Sequence, residues 1–245
     1  MEEFDFDKYK YQNKVVCFMD ILGYKNIVNQ TRNCNNLSDI PELPTLSIIM
    51  QQYEKATETN DNKLTVRTFS DCMYVFCNLE DIEILLDFIT TFQLQIFRGG
   101  GVNNQNLENK LVPDKLILAR GGITYGEMYS SNNNFWGPAI IDAYQLESEI
   151  AIYPRIVIDY KFINAYVDKF NPNLDFIDTD SDFPYLNYIK YLHNTKNKIC
   201  KSDIQRNIFD LQNYMQKKID ILNRHVFQKY KWLENYYQKN LSLWG

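Results

Sequence analysis

The sequence predicts an α+β domain on the ferredoxin-like βαββαβ plan, followed by a long helical extension. Two observations predict the class. Short apolar, β-branched runs alternate with stretches whose apolar residues recur every three or four positions. Their order is strand, helix, two hairpin strands, helix, strand, helix, strand, which suits an antiparallel-rich sheet with helices packed on one face. A third observation predicts the extension: from Ser202 onward, Ile204, Ile208, Leu211, Met215, Ile219, Leu222, Val226, Tyr230 and Leu233 keep helical spacing.

Lys14 to Leu22 is a buried strand by composition, and Gly23 separates it from a helical turn or two over Tyr24 to Gln30. Asn33 to Pro44 is polar, holds two prolines and reads as a loop. Leu46 to Thr57 has helical spacing. Leu64 to Phe69 and Met73 to Asn78 form a hairpin with Asp71 at its tip. Glu80 to Phe97 places Ile82, Leu85, Leu86, Ile89, Phe92 and Ile96 on one stripe, an amphipathic helix of about five turns. After the glycine- and asparagine-rich loop through Asn109, Lys115 to Tyr125 is a strand continuing towards Met128. Trp136-Gly137-Pro138 opens a helix to about Ile150, with proline in the first turn, where it costs least. Arg155 to Asp159 is a last short strand. These elements divide into a core, residues 1–160, and a helical extension, residues 161–245, packed on the core or on a dimer partner.

Composition narrows the function classes. Hydrophobic residues make up 45% and aromatics 15%, enough for a real core. A net charge of −5 offers no broad attraction to nucleic acid or anionic lipid, so a phosphate ligand has to be held locally. No apolar run is long enough for a membrane span, and the acidic Met1-Glu2-Glu3-Phe4-Asp5 start is unlike a signal peptide. Five cysteines without a CxxC pair argue against a disulfide framework or zinc site, and the expectation is a reduced, cytoplasmic protein. The two histidines, His193 and His225, lie far in sequence from the motifs below, which disfavours a histidine general base.

Two acidic positions stand out. Asp20 interrupts an apolar strand, where a carboxylate must be paired, hydrogen-bonded or metal-bound, or else caps the following helix. Asp71 is either a turn residue or the second member of a carboxylate pair. Together they are suited to Mg²⁺ or Mn²⁺, which take hard oxygen ligands and share them with substrate phosphates.

Four motifs in order carry a resemblance. Phe18-Met19-Asp20-Ile21-Leu22-Gly23-Tyr24 resembles the FxDIxGF strand of the class III nucleotidyl (adenylate and guanylate) cyclases. Arg67-Thr68-Phe69-Ser70-Asp71-Cys72 is similar to their KxxGDC hairpin, and Arg120-Gly121-Gly122-Ile123 to their RxGI strand. Gly137 through Leu146-Glu147-Ser148 is similar to their GxxxNxAxRLES helix. The likeness spans roughly residues 14 to 160. It implies that Asp20 and Asp71, with the Ile21 carbonyl, hold two Mg²⁺ or Mn²⁺ ions. Arg67, Asn134, Gly23 and Tyr24 are then the nucleotide-binding positions. The implied reaction joins the ribose 3′-oxygen to the α-phosphorus and releases pyrophosphate, in a homodimer whose active sites lie at the interface.

The departures point to a branch. Arg67 replaces the lysine that reads adenine, and Asn134 replaces its aspartate partner; this pair suits the two carbonyls and one N–H of uracil, unless both face solvent. Ile141 and Gln145 stand where the transition-state Asn and Arg are expected. Either Arg120, Lys25 or Gln145 substitutes, or the domain is inactive; Arg120 has the alternative of a structural salt bridge. Met19 to Gly23, Phe69 to Asp71, Gly137-Pro138-Ala139, Ala143-Tyr144, Leu146-Glu147 and Lys229 to Leu233 look like the Pycsar pyrimidine cyclases. That resemblance implies cUMP, or else cCMP, made in antiphage defence and sensed by a separate effector. The alternatives are an inactive nucleotide-binding or dimerisation module, and a purine cyclase with an altered pocket.

Overall fold

Alternating side chains make one strand the spine of the sheet. In β1 (Gln12–Leu22), Val15, Cys17, Met19 and Ile21 are buried on one face and Val16 and Phe18 on the other. A strand apolar on both faces belongs in the middle of a sheet. In the computed structural model, which describes residues 10–40, 63–97, 116–131, 134–180, 183–196, 199–218 and 223–244 together with positions 43, 47 and 51, that is where it lies.

β1 is followed by α1 (Tyr24–Gln30), the hairpin β2 (Leu64–Phe69) and β3 (Cys72–Cys77), α2 (Ile82–Phe97) and β4 (Leu118–Ser130). This is the expected β-α-β-β-α-β succession, and its strands run in the order β2-β3-β1-β4, all antiparallel. The register pairs Asp20 with Cys72 on one side and Arg120 on the other. β5 (Phe135–Trp136) folds back on the end of β4. α3 (Pro138–Gln145) and a π-helical turn, Leu146–Ile150, then lead to β6 (Ile156–Ile158), parallel to β4.

After residue 160 the chain adds α4 (Tyr160–Phe170) and a second hairpin, β7 (Ile177–Asp180) and β8 (Phe183–Leu186). That hairpin extends the same sheet, giving β2-β3-β1-β4-β6-β8-β7. The short α5 (Tyr188–Tyr191), α6 (Lys201–Lys218) and α7 (Arg224–Asn240) follow. The helical spacing expected to run unbroken from Ser202 through Leu233 is therefore carried by two helices. Asn223 caps the second, accepting from the Val226 N–H at 3.4 Å. The spacing survives because both helices set their stripes, Ile204 and Leu211 in one and Leu233 and Tyr237 in the other, into one core. The helix expected over 46–57 and the loop through Asn109 fall outside the described residues, apart from positions 47 and 51.

Two cores flank the sheet. The larger gathers Val15, Met19 and Ile21 with α2 and the C-terminal helices. A truncation there, such as removal of the wholly buried Ile89 side chain, costs about 2–5 kcal/mol. The smaller holds Val16, Phe18, Phe76 and Met128 under Ala139 and Ala143 of α3. The helices thus do not all pack on one face. α3 takes the opposite side because two alanines and Gly122 leave room for its backbone to lie close to the sheet.

Candidate functional site

Asp20 lies near the end of β1, on the face that carries Val16 and Phe18. Asp71 occupies the turn between β2 and β3, where Ser70 adopts a left-handed φ of 56°. The Ile21 N–H donates to the Asp71 carbonyl at 3.2 Å, joining the hairpin tip to β1 one residue beyond Asp20. Two carboxylates distant in sequence thereby share one rim of the sheet.

A third carboxylate joins them. Ala139, Ala143 and Glu147 follow one another at four-residue intervals, and all three are buried against β1 and β4. Glu147 meets Arg120 there, Oε1 to Nε, at 2.5 Å, in an orientation that gives neither atom a well-directed hydrogen bond. Arg120 also lies 3.8 Å from Asp20 and donates through Nη1 to the Ala151 carbonyl at 3.3 Å. Gly122 is what permits this: a Cβ there would come within 2.4 Å of the Leu146 Cβ and 2.7 Å of the Ala143 carbonyl.

The electrostatics follow from that crowding. Burial, then the charges of Glu147 and Asp71, push the Asp20 carboxyl up to about 7; a hydrogen bond shared with Asp71 acts the same way, and Arg120 opposes them. Burial likewise raises Glu147, reinforced by Asp71 and opposed by Arg120 and Lys229. Carboxylates held together against their mutual repulsion favour a cation.

Among the described residues no group of three or more His, Cys, Asp or Glu side chains is arranged to hold a metal ion. Two carboxylates with a backbone carbonyl can nevertheless share an ion with ligand phosphates, and the all-oxygen donor set suits Mg²⁺ or Mn²⁺. The residues fit the group on that account.

The structure thus brings Asp20, Ile21, Asp71 and Arg120 together, with Arg120 engaged as an ion-pair partner. Gly23, at φ 84°, makes the turn from β1 into α1, and Tyr24 packs against the larger core. Arg67 sits on β2 opposite Tyr74, which in turn opposes Phe18. The rings of Phe18, Tyr74, Tyr144 and Phe135 form a wall there, with Phe18 and Tyr74 at 4.6 Å and Tyr74 and Phe135 at 5.2 Å. The Asn134 backbone is tied to Ser131 and the Arg67 guanidinium donates to the Val66 carbonyl, so these contacts do not join the two. Lys25 and Gln145 are exposed. His193 packs edge-on against Trp244. A cavity of about 390 Å³ beside Phe88 and Phe92 shares no lining residue with the carboxylates.

Two residues escaped assignment from sequence. Glu147 could have been found from its four-residue spacing after Ala139 and Ala143, which puts an acid on a buried helix face. Lys229, on α7, is coupled electrostatically to this cluster; in sequence it stands out only within the Lys229 to Leu233 segment, with no role attached to it.

No protein-family model matches the chain, and no curated protein matches it significantly. Among solved structures it is similar to the guanylyl cyclase Cya2, at 15% identity over 73% of this chain and 92% of that one, with a TM-score of 0.45. It is also similar to a bacterial light-regulated adenylyl cyclase, at 16% identity over 74% of this chain and 53% of that one, with a TM-score of 0.47. A third is the adenylyl cyclase CyaB from P. aeruginosa, at 15% identity over 72% and 92%, with a TM-score of 0.40.

Proposed function

We propose that the chain is a metal-dependent nucleotide cyclase of the class III type, turning a pyrimidine nucleoside triphosphate, UTP ahead of CTP, into its 3′,5′-cyclic monophosphate and pyrophosphate. The observation that carries this reading is the meeting of Asp20 and Asp71 on one rim, beside an Arg120 already neutralised by Glu147. A rim with surplus negative charge binds a triphosphate only together with cations.

Asp20, Asp71 and the Ile21 carbonyl would hold Mg²⁺ or Mn²⁺, which supplies Lewis-acid activation of the 3′-hydroxyl and neutralises the triphosphate. The chain's own residues do the positioning. Arg120 fixes Asp20 against Glu147. Arg67, from β2, and Asn134 are the proposed readers of the base, and Gly23 and Tyr24 flank the phosphates. In the reaction the ribose 3′-oxygen bonds to the α-phosphorus, the bond to the β-phosphate oxygen breaks, and the 3′-hydroxyl proton passes to solvent.

The exposed Ile141 and Tyr144 of α3 support a homodimer that completes each active site from the partner. In this reading residues 1–160 form the core, and residues 161–245 pack on it as an extension whose β7–β8 hairpin continues the same sheet. The product serves as a second messenger in antiphage defence, read by a separate effector in the cytoplasm. Among the described residues no helix is long and apolar enough to cross a membrane.

A second reading, a nucleotide-binding module without catalysis, is favoured by the exposed Ile141 and Gln145, neither of which can supply cationic charge. Purified protein incubated with Mn²⁺ and each of ATP, GTP, CTP and UTP separates the readings by mass spectrometry. A cyclic pyrimidine absent from an Asp71→Asn control is expected; a cyclic purine moves the substrate class, and no product from any triphosphate favours the binding module.

A further inference from the structure

Lys229 lies in the second turn of α7, at the point where that helix meets the start of β4. The adjacent Tyr230 donates its hydroxyl to the Leu116 carbonyl at 3.2 Å. One turn on, the buried Leu233 lines a small cavity with Leu118 and Ala119. These contacts hold α7 across the end of the sheet just ahead of Arg120.

Lys229 is half-buried there. Among the described residues it has neither an ion pair nor a hydrogen bond. It nevertheless feels the site: burial first, then Arg120, holds it below the usual lysine range, while Asp20 and Glu147 pull the other way. An ammonium taken partly out of water without a direct partner is unfavourable unless a ligand supplies one. Arg120 cannot be that partner, because it carries the same charge and repels the ammonium.

We propose that Lys229 binds the terminal phosphates of the nucleoside triphosphate, making the C-terminal helix part of the active site. This rests on the cyclase reading above. Lysine is well suited to such contacts, because a compact charge on a flexible stem follows phosphate oxygens without demanding a planar partner. It also supplies cationic charge on the leaving-group side, which Ile141 and Gln145 cannot.

The test is calorimetric binding, with Mn²⁺, of 3′-deoxy nucleoside triphosphates, which cannot cyclise, beside the matching nucleoside monophosphates. Wild type, Lys229→Gln and Lys229→Arg are compared, with thermal melts to confirm folding. Lys229→Gln is expected to weaken triphosphate binding about tenfold or more, the effect of one charge-assisted hydrogen bond. Monophosphate binding should change less than about twofold, and Lys229→Arg should recover most of the loss. Should Lys229→Gln fail to fold, Lys229→Arg and Lys229→Met are compared for the same difference between the two ligands. Unchanged triphosphate binding, or equal loss for both ligands, overturns the role of Lys229 and leaves the cyclase reading standing. A wild-type protein that binds no triphosphate overturns both.

Discussion

Asp20 shows how a single residue reports on its surroundings. Its carboxyl, raised to about 7 by burial and by Glu147 and Asp71, binds a proton in the folded protein that the unfolded chain releases near the ordinary value of 3.8. Between those values the native state holds more protons than the unfolded one, so stability falls as pH rises. The metal-free protein should therefore melt at a lower temperature at pH 8 than at pH 5. Adding Mn²⁺ should flatten that slope, because the cation takes over from the proton. Thermal melts across this range, with chelator and with Mn²⁺, check it; a slope that Mn²⁺ leaves unchanged would mean that Asp20 is not a ligand. Arg120 is read differently for the same reason. In sequence it could be a substitute catalytic cation or a strand salt bridge; in the structure it meets Glu147 and donates to the Ala151 carbonyl.

At the scale of elements, the site depends on how closely α3 and the turn after it approach β4. Gly122 sets that distance. In Gly122→Ala the new methyl would sit 2.4 Å from the Leu146 Cβ and 3.1 Å from the Glu147 amide, so the helix end must move away. The expected result is a loss of about 1–3 kcal/mol in denaturant unfolding, the usual cost of overpacking. Under the proposed cyclase function, a larger fall in cyclic-nucleotide formation should accompany it, since the Glu147–Arg120–Asp20 chain moves with the helix. Near-normal turnover in a destabilised variant would show that the chain of ion pairs tolerates displacement. The π-helical turn at Leu146–Ile150 belongs to the same junction and carries the buried Glu147.

At the scale of the molecule, α7 is locked to the sheet's far edge by a buried polar network. Asn187, fully buried, donates to Asp178 at 2.8 Å and to the Asn240 side chain at 2.9 Å, and accepts from the Tyr236 hydroxyl at 2.8 Å. Lys190 and Lys239 pair with Asp178 at 2.6 and 3.1 Å. Burial alone would raise the Asp178 carboxyl, but the hydrogen bonds from Lys190, Asn187 and Lys239 outweigh it and hold the group below the ordinary range. A depressed carboxylate stabilises the fold above its unfolded pKa, and that contribution fades as pH falls through the depressed value. Asp178→Ala should cost about 3 kcal/mol at neutral pH, because it strands buried partners. It should also make the stability less steep below about pH 4. Urea titrations at pH 7 and pH 3 measure both; equal losses at the two values would assign the effect to packing instead of charge.

Local pattern carried much of this protein. The alternation in β1, the Asp71 hairpin and the stripe of α2 depend on neighbours a few residues apart, so the α+β class and the βαββαβ order are legible in the sequence. Asp20 stands out in the sequence because an acid inside an apolar strand is a local anomaly, whereas Asp71 alone is an ordinary turn residue and stands out only through its pairing with Asp20. What remained hidden required distant segments to meet. The face taken by α3, the second hairpin at the sheet's edge, and the break between α6 and α7 are settled by packing between elements. So is the arrival of Glu147 and Lys229 beside Asp20. Periodicity says which side of a helix is apolar, but only tertiary contacts choose the surface it covers and the charges it brings there.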